Sequence, residues 1–240
     1  MGRAYEVRKA SMQKTNAAKS KLYAKFGKEI FMAAKNGEPD PEINTSLKRV
    51  IEKAKSKEVP ANIISRAIDR AKSKEVSNYV ASLYEGFGPG ESTILIECLS
   101  DNPNRTISDI KTCFNKTHSK LGVSGSVSFD YKNVSVVTLT NISEEEVAEI
   151  LFNRDIDFDD IETEDEYVSV FGSTTSLYEI KNALEETIKE GSKIVEYEIT
   201  WIANDQITLN KEDKEIFDKL VNMLEEVDDV QNVYHNVIEA

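Results

Sequence analysis

Tyr79-Val80-Ala81-Ser82-Leu83-Tyr84, then Glu85-Gly86-Phe87-Gly88-Pro89-Gly90, then Ser92 through Thr106 form the stretch on which the fold turns. The first six residues read as a short half-apolar strand. The glycine and proline cluster after them forces a turn. Ser92 to Leu99 reads as a buried strand, because Ile94, Leu95, Ile96, Cys98 and Leu99 leave little polar surface. Asp101-Asn102-Pro103-Asn104-Arg105-Thr106 then opens a helix, with Asn102 as N-cap and Pro103 at the first helical position.

Charge divides at this stretch. Residues 1–75 hold 18 Lys and Arg against 9 Asp and Glu, a net +9, whereas residues 76–240 carry −22, for −13 overall. A cationic module inside an acidic chain points to a polyanionic partner. The plainer alternative is that the lysines only solubilise a helical bundle and attract the acidic remainder. At 240 residues and 40% hydrophobic content the chain has material for one to three domains with closed cores. No apolar run approaches the ~18 residues that span a bilayer. The start, Met1-Gly2-Arg3-Ala4-Tyr5-Glu6, has neither an apolar signal core nor an acyl-glycine motif, so the expected location is the cytoplasm. Cys98 and Cys113 fit reduced core positions.

Upstream of the central stretch the pattern is helical. Residues 1–13 lack clear periodicity and read as a mobile basic arm or a loosely packed segment. From Ala17 to Asn36, Leu22, Phe26 and Ile30 mark one face. Lys14, Lys21, Lys28 and Lys35 recur every seven residues with Lys25 between two of them. A seven-residue step drifts only ~20° per repeat, so from Lys21 onward the amines form a stripe suited to a phosphate backbone. A second helix is expected with Asp40 as N-cap, Pro41 next, and Ile43, Leu47, Val50, Ile51 and Ala54 buried. A third begins near Pro60, buries Ile64, Ala67, Ile68 and Ala71, and projects Arg66 and Arg70 together. Lys72 to Asn78 reads as a polar linker across which domains move.

Downstream, a helix from Thr106 and a strand at Gly125-Ser126-Val127-Ser128-Phe129 would complete a strand-helix-strand unit. The pattern then restarts: a strand at Val134–Leu139, and a helix at Ser143–Asn153 with a Ser143/Glu146 capping box. Strands follow at Ile156–Ile161 and Tyr167–Phe171 around an acidic turn, then a helix at Thr174–Glu190 and a strand at Ile194–Trp201. That order is ferredoxin-like. A strand at Ile199–Ala203, a helix at Lys211–Glu226 and a strand at Val230–Val237 supply the rest of the interrupted unit. The expected fold is thus α+β and multidomain: a three-helix bundle, then two ferredoxin-like α/β domains, one inserted into the other. The expected boundaries are 1–78 for the basic helical domain, 79–132 plus 198–240 for the discontinuous domain, and 133–197 for the insert.

No constellation of residues calls for catalysis, a metal, a cofactor or a small-molecule substrate. Gly86 to Gly90 lacks the Gly-Lys-Ser/Thr ending of a phosphate loop and leads into a strand, so it reads as a turn, with approach of a nucleic-acid backbone the minor alternative. His118 and His235 with the two cysteines give no zinc spacing, and Cys113/His118 lacks an oxyanion element. The run Asp155 to Glu166 lacks the alternation of a calcium loop and reads as a solvated hairpin. Arg105 lies in a first helical turn, where the dipole disfavours a cation. Either it pairs with Asp101 or Glu97, or it binds phosphate. Tyr234-His235-Asn236 either packs beside it or finishes a strand.

Ala18 to Phe26, Glu38-Pro39-Asp40-Pro41-Glu42, Tyr84 to Gly90, Asp101 to Thr106, Gly125 to Ser128 and Val230 to Asn236 together resemble, in order, the signatures of the YebC/PmpR family. The start, Gly2 to Lys9, is closer to its YeeN-type branch, and Pro103 departs from the polar or basic residue many members carry. The resemblance covers essentially the whole chain. It implies a helical domain plus two α/β domains, one discontinuous, in a cytoplasmic, non-enzymatic transcriptional regulator that binds DNA. It also implies an alternative: a ribosome-associated translation factor on ribosomal RNA that assists proline-rich synthesis. On either reading the expected nucleic-acid contacts are Lys14, Lys21, Lys25, Lys28, Lys35, Arg66, Arg70 and Arg105. The sequence fixes no oligomeric state and is compatible with a monomer.

Overall fold

A computed structural model describes residues 16–73, 79–189 and 191–238, and the expected arm at 1–13, Lys14 and most of the expected linker lie outside them. Among the described residues it has seven α-helices and two four-stranded sheets, a mixed α+β architecture. The chain separates into two compact units, Lys14–Val127 with Asn210–Tyr234, and Ser128–Leu209 with the C-terminal residues from His235.

The first unit begins with helices α1 (Asn16–Lys35), α2 (Thr45–Ser56) and α3 (Ala61–Lys72). Phe26, Ile30 and Phe31 of α1 are buried with Leu47, Ile51, Ile64 and Ala67, so the apolar spacing produces the expected bundle core. Each such side chain contributes about 1.5–3 kcal/mol by leaving water. Tyr79 meets the Phe31 ring edge-on at 5.7 Å. The start of α2 corrects the sequence reading. Its cap is Asn44, whose Oδ1 accepts from Leu47 N at 3.0 Å while its Nδ2 donates to Ala33 O and Glu38 O. Asp40 instead shapes a separate turn: its carboxylate accepts from Glu42 N and its carbonyl from Asn44 N. Ile43 sits in that turn and is 69% exposed rather than buried.

The same unit holds β1 (Val80–Phe87), β2 (Thr93–Ser100), α4 (Pro103–Lys116), β3 (Lys120–Leu121), α7 (Lys211–Glu226) and β8 (Val230–His235, its last residue at the unit boundary), with sheet order β3-β1-β2-β8. β1 runs three residues past the expected Tyr84 and pairs antiparallel with β2 from Val80↔Ser100 to Phe87↔Thr93. Gly90 takes φ +60° in the turn between them, a conformation glycine adopts without a Cβ penalty. Asn102 caps α4 through Arg105 N at 3.2 Å, and Pro103 is its first residue, as expected. The expected strand at Gly125–Phe129 is absent. Gly125 has φ +81°, Ser128–Asp130 forms a 3-10 turn, Val127 is buried and Phe129 is 70% exposed. The third strand of this sheet is instead the two-residue β3, paired with Gly86 and Phe87.

The second unit contains β4 (Tyr131–Thr140), α5 (Glu144–Asn153), β5 (Asp160–Glu164), β6 (Tyr167–Gly172), α6 (Leu177–Thr187) and β7 (Lys193–Ala203), with sheet order β5-β6-β4-β7. The Ser143/Glu146 capping box on α5 is present. Three elements shift from the sequence reading. β7 is one continuous strand, pairing with β4 from Thr140↔Lys193 to Tyr131↔Ala203. Ile199–Ala203 therefore belongs to this sheet and not to the other. β5 starts at Asp160, because Ile156 is drawn under the end of α5 by a bond from its N–H to Leu151 O. The α6 helix starts at Leu177, since Ser173, Thr175 and Ser176 bond among themselves in the preceding turn. Val137, Leu139, Val147, Leu151, Val170, Ile180 and Leu184 make its main core.

Candidate functional site

The lysine stripe of α1 does not stand in solvent. Lys21, Lys25, Lys28 and Lys35 are all half-buried. Phe26 and Ile30 point one face of α1 into the bundle, and Lys21, Lys25 and Lys28, at i, i+4 and i+7, define a second face that meets the turn between α7 and β8. Lys25 Nζ donates to Gln231 O at 2.9 Å. Lys28 Nζ donates to Asp229 Oδ1 at 3.0 Å, Asp228 O at 3.0 Å and Leu99 O at 3.5 Å. Burial pushes the Lys21 amine below its ordinary range, against the opposing pull of Asp228, Glu226 and Glu225. Lys35 lies over the Phe31 ring at 5.3 Å, and the Arg70 guanidinium is 5.2 Å from the same ring. Lys14 falls outside the described residues.

Arg105 has a carboxylate partner that the sequence reading did not name. Its guanidinium donates to Asp229 Oδ2 at 2.7 and 3.2 Å and to Asp101 Oδ1 at 3.0 Å. Glu97 serves instead as acceptor for Asn232 and Tyr234 across β2 and β8. Asp229 is 2% exposed and also accepts from Ser100 Oγ and Thr106 Oγ1. Burial alone would raise its pKa. The bonds from Arg105, Lys28, Thr106 and Ser100 outweigh it and hold the carboxyl at about 2. One buried carboxylate thus joins α1, the end of β2, the first turn of α4 and the start of β8.

A second buried acid precedes the glycine turn. Glu85, 3% exposed, accepts from Gly125 N at 2.7 Å and Val127 N at 2.6 Å. Its neighbour Gly86 faces the Phe114 ring so closely that a Cβ would stand 2.4 Å from it. Both residues serve packing. Burial raises the pKa of both thiols, Cys98 to about 12, so neither is a thiolate near neutral pH. Among the described residues no group of His, Cys, Asp and Glu is placed to hold a metal ion, and no helix is long and apolar enough to cross a membrane.

Exposed cations of the basic segment include three on α2 and α3. Arg66 is exposed, as expected. Lys48 and Lys55, seven residues apart and so on one face of α2, are exposed too. Among the described residues none of the three side chains has a hydrogen-bond or ion-pair partner.

Residues 3–74 match the model of the TACO1/YebC protein N-terminal domain, and residues 79–237 that of the TACO1/YebC second and third domain. The chain belongs to the TACO1/YebC family. Similar proteins include "probable transcriptional regulatory proteins" of Pseudoalteromonas translucida, 47% identical, and of Alteromonas mediterranea, 44% identical, with 99% of each chain covered in both cases. The crystal structure of a conserved hypothetical protein from Aquifex aeolicus superposes with a TM-score of 0.80 at 32% identity, over 94% of this chain and 92% of that one. Within this TACO1/YebC chain, sequence reasoning passed over Asp229, Glu85, Lys48 and Lys55. Glu85 had only a weak signal: it is an acid on the strand face it shares with Ala81, Leu83 and Phe87. Asp229 had none, since it looks like one more acid in a solvated turn.

Proposed function

We propose that this TACO1/YebC protein is a non-enzymatic regulator of gene expression that binds nucleic acid in the cytoplasm, with DNA as the first candidate. The names of its relatives support regulation of transcription. The observation that carries the reading is the set of unpartnered cations, Lys48, Lys55 and Arg66, on the +9 segment of a strongly acidic chain. Amines and a guanidinium without internal acceptors suit phosphate oxygens. The exposed side of α3 offers Asn62, Ser65 and Arg66 but also Asp69, a poor set for reading base edges. Recognition is therefore by backbone and shape, which serves ribosomal RNA as well as duplex DNA.

The test is binding of a labelled DNA duplex, and separately of a ribosomal RNA fragment, to the full chain and to K48E/K55E/R66E. If each cation neutralises one phosphate, they contribute about −2.7 to the slope of log affinity against log salt. The variant should keep its helix content and lose that part of the slope. Equal binding by the folded variant would overturn the assignment. Crosslinking in cells separates the two targets: enrichment of a few promoter regions supports transcription, and ribosomal RNA supports translation.

A further inference from the structure

The face of α1 that carries Lys21, Lys25 and Lys28 is covered by the turn from α7 into β8, which bears Glu225, Glu226, Asp228 and Asp229. We propose that this acidic turn is an internal competitor for nucleic acid, holding the lysines of α1 until a polyphosphate displaces it. The inference rests on the nucleic-acid reading above and adds a regulated second contact to it.

The contacts are graded in a way that suits exchange. Lys28 spends its three donors on two carbonyls and one carboxylate, the acceptors a phosphate chain would replace. Lys25 donates to a carbonyl of β8. Lys21 is held by charge alone, from Glu225, Glu226 and Asp228. Those three acids are exposed, so their attraction is weak and screened by salt. The buried member, Asp229, is protected against the exchange. When Lys28 leaves, Arg105, Ser100 and Thr106 still hold its carboxylate. The usual penalty for orphaning a buried charge is thereby avoided. Both states of the contact satisfy their charges, as a two-state element requires.

Two measurements on the full chain test this. E225Q/E226Q/D228N removes the competing charge and leaves Asp229 in place. It should tighten binding of a short labelled DNA duplex by roughly tenfold and steepen its salt dependence. D157N/D165N/E166Q makes the same charge change at exposed sites in the other unit and should alter affinity by less than about threefold. Equal tightening by both variants would mean that net charge alone acts, and would overturn the competitor. Second, spin labels at Ala24→Cys on α1 and Asn222→Cys on α7, both exposed positions, report the contact directly, since the native cysteines are buried. Saturating duplex should add a longer distance, and an unchanged distance would sink the proposal. Binding that is lost in K48E/K55E/R66E but indifferent to the turn variant would leave the nucleic-acid reading standing and the competitor refuted. No binding of duplex or ribosomal RNA by the folded chain would remove both.

Discussion

Asp229→Asn is the most informative single change to the folded chain. The carboxyl is displaced from an ordinary 3.8 to about 2, and each pH unit of displacement corresponds to about 1.4 kcal/mol. Ionised Asp229 therefore contributes on the order of 2–3 kcal/mol at neutral pH. The asparagine leaves Lys28 with two carbonyl acceptors and leaves Arg105, 48% exposed, with Asp101 and water. The loss should accordingly fall below the ~3–5 kcal/mol typical of a broken buried pair. Because the folded pKa is depressed, the contribution is complete above the ordinary carboxylate range and disappears as pH falls from about 4 through 2. Urea unfolding followed by far-UV circular dichroism should show a gap between wild type and D229N of about 2–3 kcal/mol at pH 7. The gap should narrow to under about 1 kcal/mol at pH 2.5. Tryptophan fluorescence is the wrong probe here, since Trp201 lies on β7 in the other unit. A gap below ~0.5 kcal/mol at pH 7, or one that does not narrow on acidification, would refute the charge hub.

Gly86→Ala should destabilise by about 1–3 kcal/mol through overpacking, because the new methyl group stands 2.4 Å from the Phe114 ring. Urea midpoints for G86A and for G86A/F114L would check it, the smaller side chain recovering part of the loss. Ser143→Ala removes the acceptor for Glu146 N and should lower the stability of the second unit by about 1 kcal/mol, read from Trp201 fluorescence during unfolding.

Elements whose signals are local were legible in the sequence. The caps on α4 and α5 are set by residues within four positions, Asn102 with Pro103 and Ser143 with Glu146. The three helices of the bundle follow from apolar spacing alone. Misreadings occurred where a distant group decides. Val127 and Phe129 alternate as a strand would, yet Glu85, about forty residues earlier, takes the amides of Gly125 and Val127 and bends the segment out of any ladder. At the start of α2, Asp40-Pro41 and Asn44 both carry good capping chemistry. Asn44 wins because its amide also ties the end of α1 through Ala33 and Glu38, a tertiary bond that no propensity includes. The sequence reading expects two strands, Ile194–Trp201 and Ile199–Ala203, one for each domain. The pairing with β4 instead runs unbroken through both, with its single irregularity at Thr138/Leu139.

The candidate site shows the same limit in electrostatic form. Composition gives the sign of a module's charge correctly, and periodicity gives the face of the helix that carries it. Neither says whether that face looks at solvent. A lysine stripe for phosphate and a lysine stripe for the chain's own acids are the same pattern, because both need amines at helical spacing. In this chain the acids sit about 200 residues away at Asp228 and Asp229. The alternative in which the lysines attract the acidic remainder therefore describes Lys28 in the folded chain, while Lys48, Lys55 and Arg66 are the cations we propose for the role first expected of the stripe. A cation is free for a partner only when no internal acceptor reaches it, and that property belongs to the fold rather than to the sequence.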